Sequence, residues 1–365
     1  MSKKLEKARE ILAGKGIRSL CVATVEVLGQ SSRRAFYKNR LLGRILYPKP
    51  TTVFLELTNN CNLNCRMCPF RLDPRKTGYM SRSLFTSCVN QLSKLGVETL
   101  SLHFGGTSLL HPDFEDYLKY AIYHRDHGKI DNVGWISNGT LFDQSIADSV
   151  VDLGVDAIGF SIDGIGQIND NIRVGAEYSV IERNIKYLIK RREKAKKPRV
   201  FLSVTDFGRT EEQDMDLYRE WVPVVDEISI CPRIFPDGTV DTKTAFYRGH
   251  KKVKPPPFCP SSFETMVVGW NGIVTACCVD TSLKADLGDA TRESLKQIWA
   301  GPRYQALRKA ALANAFPFGS PCQNCAFWRM TFEAGHEEPF LGRTAAIHYH
   351  RQWKFIRRKT GATRS

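Results

Sequence analysis

From Thr52 onward, short runs of apolar, β-prone residues alternate with longer stretches whose apolar positions recur every three or four residues. The runs are VFLEL (53–57), TLSLHF (99–104), VGWIS (133–137), AIGFSI (157–162), VFLSV (200–204) and EISIC (227–231), and each predicts a strand. Between them SRSLFTSCVNQLSKLG, PDFEDYLKYAIYHR, QSIADSVVDLG, SVIERNIKYLIKRREK and EEQDMDLYREWV predict helices, with Gly96 and Gly154 as C-terminal stops. Strands that are apolar almost throughout are covered on both faces, so the alternation predicts an α/β fold: a parallel sheet with helices packed on it and right-handed crossovers. Six strands suit an open, partial (β/α)6 barrel better than a closed one of eight. Sheets of this kind gather their ligands at the carboxyl ends of the strands.

The flanks carry a different pattern. Residues 1–47 read as one or two basic helices, apolar at Ile11, Leu12, Ile17, Leu20, Val25 and Leu28, and stopped by Pro48-Lys49-Pro50. Pro255-Pro256-Pro257 marks a second boundary, after which TMVVGWNGIVTACC predicts a hairpin turning at Asn271-Gly272. The expected organisation is a basic helical extension (1–51), a barrel (52–235), a linker (236–257), a small cysteine-bearing domain (258–330) and a basic tail (331–365).

Composition narrows the function. No apolar run approaches the roughly 20 residues of a membrane span, and the charged start MSKKLEKAREIL is unlike a signal peptide, so a cytoplasmic protein is expected. The formal charge of +15 is concentrated at the two ends. It invites an anionic small molecule, or peripheral contact of the basic termini with anionic headgroups; with no RNA-binding signature in the tail, nucleic acid ranks last. Solvated termini without a partner explain the charge equally well. The 11 cysteines fall largely in close clusters, which in a reducing compartment favours metal binding over disulfides.

Cys61, Cys65 and Cys68 follow the first strand with spacing C-x3-C-x2-C. Three thiolates hold three irons of a 4Fe-4S cube and leave the fourth iron open for a ligand. The competing assignment is a three-cysteine zinc site completed by His103 or His111.

The stretch CNLNCRMC, with Met67 just before the third cysteine, resembles the radical S-adenosylmethionine (SAM) superfamily over about residues 52–235. The resemblance implies that the open iron chelates SAM and that reductive cleavage yields a 5′-deoxyadenosyl radical, which abstracts a substrate hydrogen. It also implies an external electron donor such as flavodoxin or ferredoxin. Where the family usually has Gly-Gly-Glu-Pro, this chain has Gly105-Gly106-Thr107-Ser108, so hydroxyls replace the carboxylate expected at the SAM ammonium. Asn138 in SNGT, Ser161 and Asp163 in SIDG, and Arg173 in NDNIRVG match positions that the family uses on the SAM ribose and carboxylate. Met67, Gly105 and Gly106 complete the cofactor-binding set that the resemblance implies.

Past the proline run, Cys259, Gly272, Cys277, Cys322 and Cys325 give C-x12-G-x4-C followed by C-x2-C. This resembles the start of the auxiliary-cluster module called SPASM and its shortened twitch form, which implies one further 4Fe-4S cluster with all its irons closed. Residues on a strand alternate between faces, so one of Cys277 and Cys278 is expected to face the cluster; the glycine spacing favours Cys277. A four-cysteine structural zinc is the competing assignment. A closed cluster suits electron transfer, and the arrangement resembles dehydrogenases that oxidise an aminocyclitol alcohol. The expected function is hydrogen abstraction from a sugar-, polyol- or aminocyclitol-like metabolite with electron transfer to the auxiliary cluster. The alternatives are modification of a peptide side chain and, from another class, a zinc-binding scaffold with an anionic partner.

Cys21, Cys88 and Cys231 read as buried core thiols, and His336, His348 and His350 as surface residues. Arg233 and Asp237 follow the sixth strand, where either can bind an anionic group or take a proton.

Overall fold

The structure is a computed structural model that describes residues 48–72, 75–193, 195, 197–233, 235, 259–317, 319–325 and the backbone of 354–357. The expected N-terminal helices with Cys21, the linker with Asp237, and the tail histidines lie outside the described residues.

Six strands run parallel in the order expected of successive crossovers: β1 (Thr52–Leu55), β2 (Thr99–Ser101), β3 (Asn132–Ser137), β4 (Ala157–Ser161), β5 (Arg199–Asp206) and β6 (Glu227–Pro232). The helices are α1 (Arg82–Leu95), α2 (Phe114–His127), α3 (Gln144–Asp152), α4 (Gln167–Ile172), α5 (Tyr178–Arg191) and α6 (Glu211–Trp221). Local chemistry fixes their ends. The Ser81 hydroxyl accepts the Leu84 N–H at the start of α1, Gly96 closes that helix in the left-handed conformation, and Thr210 with Gln213 forms a capping box on α6. The short α4 is absent from the sequence-based expectation because QINDNI carries too few apolar positions to show a helical period.

One stripe of each long helix packs on the sheet. Leu84, Phe85, Cys88, Val89 and Leu92 of α1 and Ile181, Ile185 and Leu188 of α5 join Val53, Leu55, Leu100, Val133, Trp135, Ile158, Phe160, Val200 and Leu202 in one core. Cys88 is the buried core thiol expected, and burial pushes its pKa up to about 12.

The C-terminal unit extends the same sheet. After α7 (Ser261–Glu264), β7 (Thr265–Val268) pairs in parallel with β1, Thr52 opposite Thr265. β8 (Ile273–Thr275) and β9 (Gly288–Asp289) follow antiparallel, and α8 (Leu295–Ala300) and α9 (Pro302–Ala313) complete the unit. At the other edge the backbone of β10 (Lys354–Arg357), inside the segment read as a tail, pairs antiparallel with β6. One sheet therefore runs β10-β6-β5-β4-β3-β2-β1-β7-β8-β9.

Candidate functional site: two cysteine centres on one sheet

The first centre sits on the loop after β1. Cys65 is buried, Cys68 half-buried and Cys61 exposed. Burial pushes the Cys65 thiol up to about 11, against the pull of the Arg173 guanidinium, and burial also raises Cys68. Met67 packs with Cys65 and Ile172, and Leu63, Cys68, Ile168 and Phe207 surround them.

Two neighbouring strand exits hold this loop. From the end of α4, beyond β4, the Val174 carbonyl accepts the Asn64 N–H and the Ile172 carbonyl the Arg66 N–H, each at 2.8 Å. Between these anchors Arg173 places Nη1 4.0 Å from Cys65 Sγ, while its Nε stands 2.7 Å from Asp163 Oδ2, out of line for a hydrogen bond and so an ion pair. From the β2 exit, the Thr107 hydroxyl has two acceptors for its one proton, Cys61 Sγ at 3.3 Å and Asn62 Oδ1 at 3.0 Å. Asn138 Nδ2 donates to Asn62 Oδ1 and Thr107 Oγ1, and Asn62 Nδ2 donates to Thr140 Oγ1. Asn62 and Thr140 escape sequence reasoning because each reads as an ordinary loop residue.

Several expected SAM contacts have other partners here. Ser108 turns inward and donates to the Leu102 carbonyl at 2.7 Å. Asp163 is fully buried, with Oδ1 accepting the Thr205 N–H at 2.6 Å and Oδ2 facing Arg173 at 2.7 Å, so it fixes the arginine. The room left by the paired glycines is filled by the chain itself. A Cβ on Gly105 would lie 2.7 Å from Glu56 Oε1, and one on Gly106, whose φ is +62°, would lie 2.3 Å from the Asn60 carbonyl oxygen. They bring the β2 exit against the cysteine loop. Ser161 remains half-buried, and among the described residues its hydroxyl has no hydrogen-bond partner.

The histidines weighed as zinc ligands are otherwise engaged. His111 meets the Met80 carbonyl through Nε2 and accepts the Asp113 N–H at Nδ1. His103 Nδ1 accepts the Ile136 N–H at 3.3 Å and lies 2.8 Å from Ser101 Oγ, so the neutral ring carries its proton on Nε2; burial lowers its pKa to about 4. Cys231 also departs from the core reading. Its thiol lies within the influence of Asp163, Asp206 and Arg173, on the interior face of the barrel, and burial raises its pKa to about 12.

The second centre is a cavity whose wall includes Cys259, Cys277, Cys322 and Cys325 together with Ala276, Val279, Leu307, Ala311 and Phe316. Cys277 and Cys278 lie on neither strand, because β8 ends at Thr275; a turn presents Cys277 to the cavity and leaves Cys278 beside it. The Cys278 thiol and the Val279 N–H both donate to Cys277 Sγ and hold its pKa down, whereas burial and the neighbouring thiolates raise Cys259 and Cys322. Asp280 braces the turn, accepting from Thr275 Oγ1 and from the Lys284 and Ala285 N–H groups.

A buried ion pair joins the two centres. Glu56, at the β1 exit and fully buried, accepts Arg75 through both oxygens at 2.7 and 2.9 Å. Arg75 also donates to the Thr281 carbonyl, and the Trp270 N–H donates to Glu56, so the pair grips both the turn after Cys277 and the β7–β8 hairpin. The Trp270 ring lies on Gly78, where a Cβ would come within 2.3 Å of it. A lone glutamate in an apolar strand carries no local sign of this role.

Residues 55–220 match the Radical SAM superfamily, and residues 259–326 match SPASM, an iron-sulfur cluster-binding domain. The chain belongs to the radical SAM superfamily, in its SPASM-containing subgroup. It is 24% identical to the tungsten-containing aldehyde ferredoxin oxidoreductase cofactor-modifying protein of Pyrococcus furiosus over 313 residues, 74% of this chain and 86% of that one. It is 32% identical to pre-heme d1 synthase of Dinoroseobacter shibae over 127 residues, 34% of this chain and 30% of that one. Among solved structures, anSMEcpe with bound AdoMet shares the fold at a TM-score of 0.59 and 17% identity, covering 83% of this chain and 95% of that one. BtrN in complex with AdoMet and 2-DOIA gives 0.51 at 18% identity, covering 72% and 87%.

The protein is thus an enzyme whose cofactors are SAM, a 4Fe-4S cluster and an auxiliary iron-sulfur cluster. The residues present fit these groups: three thiols on one braced loop, and four thiols around one cavity.

Proposed function

We propose that the protein is a radical SAM oxidoreductase that abstracts hydrogen from a small sugar-, polyol- or aminocyclitol-like metabolite and passes an electron to an auxiliary 4Fe-4S cluster. The observation that carries this reading is the pairing of a three-thiol centre with a four-thiol cavity on one sheet, joined by Glu56 and Arg75. When bound, SAM and the first cluster supply a 5′-deoxyadenosyl radical, and the auxiliary cluster supplies an electron acceptor. The chain's own residues position these groups. Cys61, Cys65 and Cys68 hold the first cluster, with Thr107 and Arg173 orienting two of the thiolates; Cys259, Cys277, Cys322 and Cys325 hold the second. Ser161 offers a free hydroxyl at the β4 exit, and His103 offers a neutral Nε2–H donor from the β2 exit.

The relative matched over 74% of this chain is named for modifying a cofactor, which supports a small molecule over a peptide as substrate. Peptide modification is the second reading, because SuiB of Streptococcus suis bound to precursor peptide SuiA shares the fold at a TM-score of 0.59 and 14% identity. The iron-sulfur family match leaves the zinc scaffold without support. Among the described residues no helix is long and apolar enough to cross a membrane. A cytoplasmic location and a flavodoxin or ferredoxin donor complete the proposal.

The test is anaerobic reconstitution followed by SAM turnover with dithionite. Roughly eight irons per chain, as two cubes require, and 5′-deoxyadenosine formation stimulated by a polyol or aminocyclitol are expected. Stimulation by peptides alone would transfer the assignment to the second reading.

A further inference from the structure

Arg233 follows β6 directly, at the carboxyl end of the sheet where ligands collect. Ile228 and Ile230 of β6 enter the core between sheet and helices, whereas Cys231 lies on the opposite face, near Asp163 and Arg173. Arg233 lies one residue past the end of β6. Its guanidinium carbon lies 4.9 Å from the Phe207 ring centroid and 4.6 Å from that of Phe235. Phe207 in turn packs on the cluster of Cys65, Met67 and Ile172, so one aromatic ring separates the cation from the first cysteine loop.

Three buried or nearly buried arginines around these strand ends have carboxylates. Arg173 pairs with Asp163 at 2.7 Å, Arg209 with Asp214 at 2.8 Å and Arg75 with Glu56 at 2.7 Å. Among the described residues Arg233 makes no ion pair and no hydrogen bond, and its Nε is buried without a partner. Two aromatic faces hold and partly dry this cation but do not neutralise it. An ordinary surface arginine would keep all its nitrogens in water. A guanidinium that no carboxylate neutralises fits an oxyanion in bidentate fashion.

We propose that Arg233 anchors an oxyanion of the substrate, a carboxylate or phosphate, so that the metabolite is anionic. The proposal rests on the radical oxidoreductase reading above, of which it specifies the substrate class. The anion is the substrate's and not the SAM carboxylate, because Arg173 is the guanidinium beside the SAM-binding cysteine loop and Arg233 belongs to a more distant strand.

Inorganic phosphate is the probe, added to the reconstituted, dithionite-reduced full chain, whose paramagnetic first cluster broadens the ³¹P line of any phosphate held nearby. Wild type is expected to broaden the line, and R233Q to lose at least fivefold of the effect while binding SAM within twofold of wild type in an equilibrium titration. Equal broadening by both proteins overturns the proposal. A tenfold loss of SAM affinity in R233Q also overturns it, by giving the guanidinium to SAM. Should R233Q fail to load iron, competition on wild type decides. Acetate relieving the broadening at concentrations where chloride does not supports the site, and equal relief by chloride reduces it to general attraction by a basic chain. Absence of 5′-deoxyadenosine would sink the oxidoreductase reading and leave the phosphate result standing.

Discussion

Cys65 shows how burial and charge compete at a single atom. Its thiol lies deep in the loop and titrates near pH 11 despite the guanidinium 4.0 Å away, so in the metal-free chain it carries its proton at neutral pH. A raised thiol pKa leaves less thiolate at any pH below it. Alkylation of Cys65 in the apoprotein, followed by mass spectrometry, should therefore accelerate about tenfold per pH unit from pH 8 to 10. A flat profile would show that access and not protonation limits the reaction. At the second centre the test is which of two adjacent cysteines matters. Cys277 lines the cavity and Cys278 only donates to it, so Cys277→Ser should cut the iron content from roughly eight to about four, and Cys278→Ser should leave it near eight. The cysteine spacings were fully legible in the sequence. The partners of Ser108 and Asp163 were not, because a motif names a side chain without saying which way it turns.

Elements were legible where periodicity is strong. Each of the six barrel strands and five long helices lies where the apolar pattern puts it, because each buries a continuous stripe or both faces. The strand β7 was readable as half of a hairpin, but its parallel partner was not: β1 lies 213 residues earlier, and no local pattern encodes so distant a choice. The same distance hides Glu56. Replacing it with glutamine removes the buried negative charge that faces Arg75, so E56Q should lose about 3–5 kcal/mol in denaturant unfolding. R75M/E56Q, which removes both charges, should recover much of that loss. If the single and double variants unfold alike, the pair is not coupled. Amide exchange at Trp270, which donates to Glu56, should rise in E56Q before exchange in the barrel core does.

At the scale of the whole molecule, the two centres share one frame. The sheet passes without a break from the barrel into the auxiliary unit, and α8 docks on α1 through Leu295 and Gln91. Removing residues 259–365 would strip β7 from β1 and leave a buried parallel strand with an open edge. Such a truncation should be recovered mainly as insoluble aggregate, measured by fractionation after expression; a monodisperse barrel would contradict the shared-frame description. The pairing of β1 with β7 also sets a clock. At about 5–20 residues per second on the ribosome, β1 emerges roughly 10–40 s before the strand that covers its edge, since 213 residues of chain intervene. For that interval the nascent barrel displays an unpaired apolar edge, so the auxiliary unit is also the chain's own late-arriving protection against misassembly during synthesis.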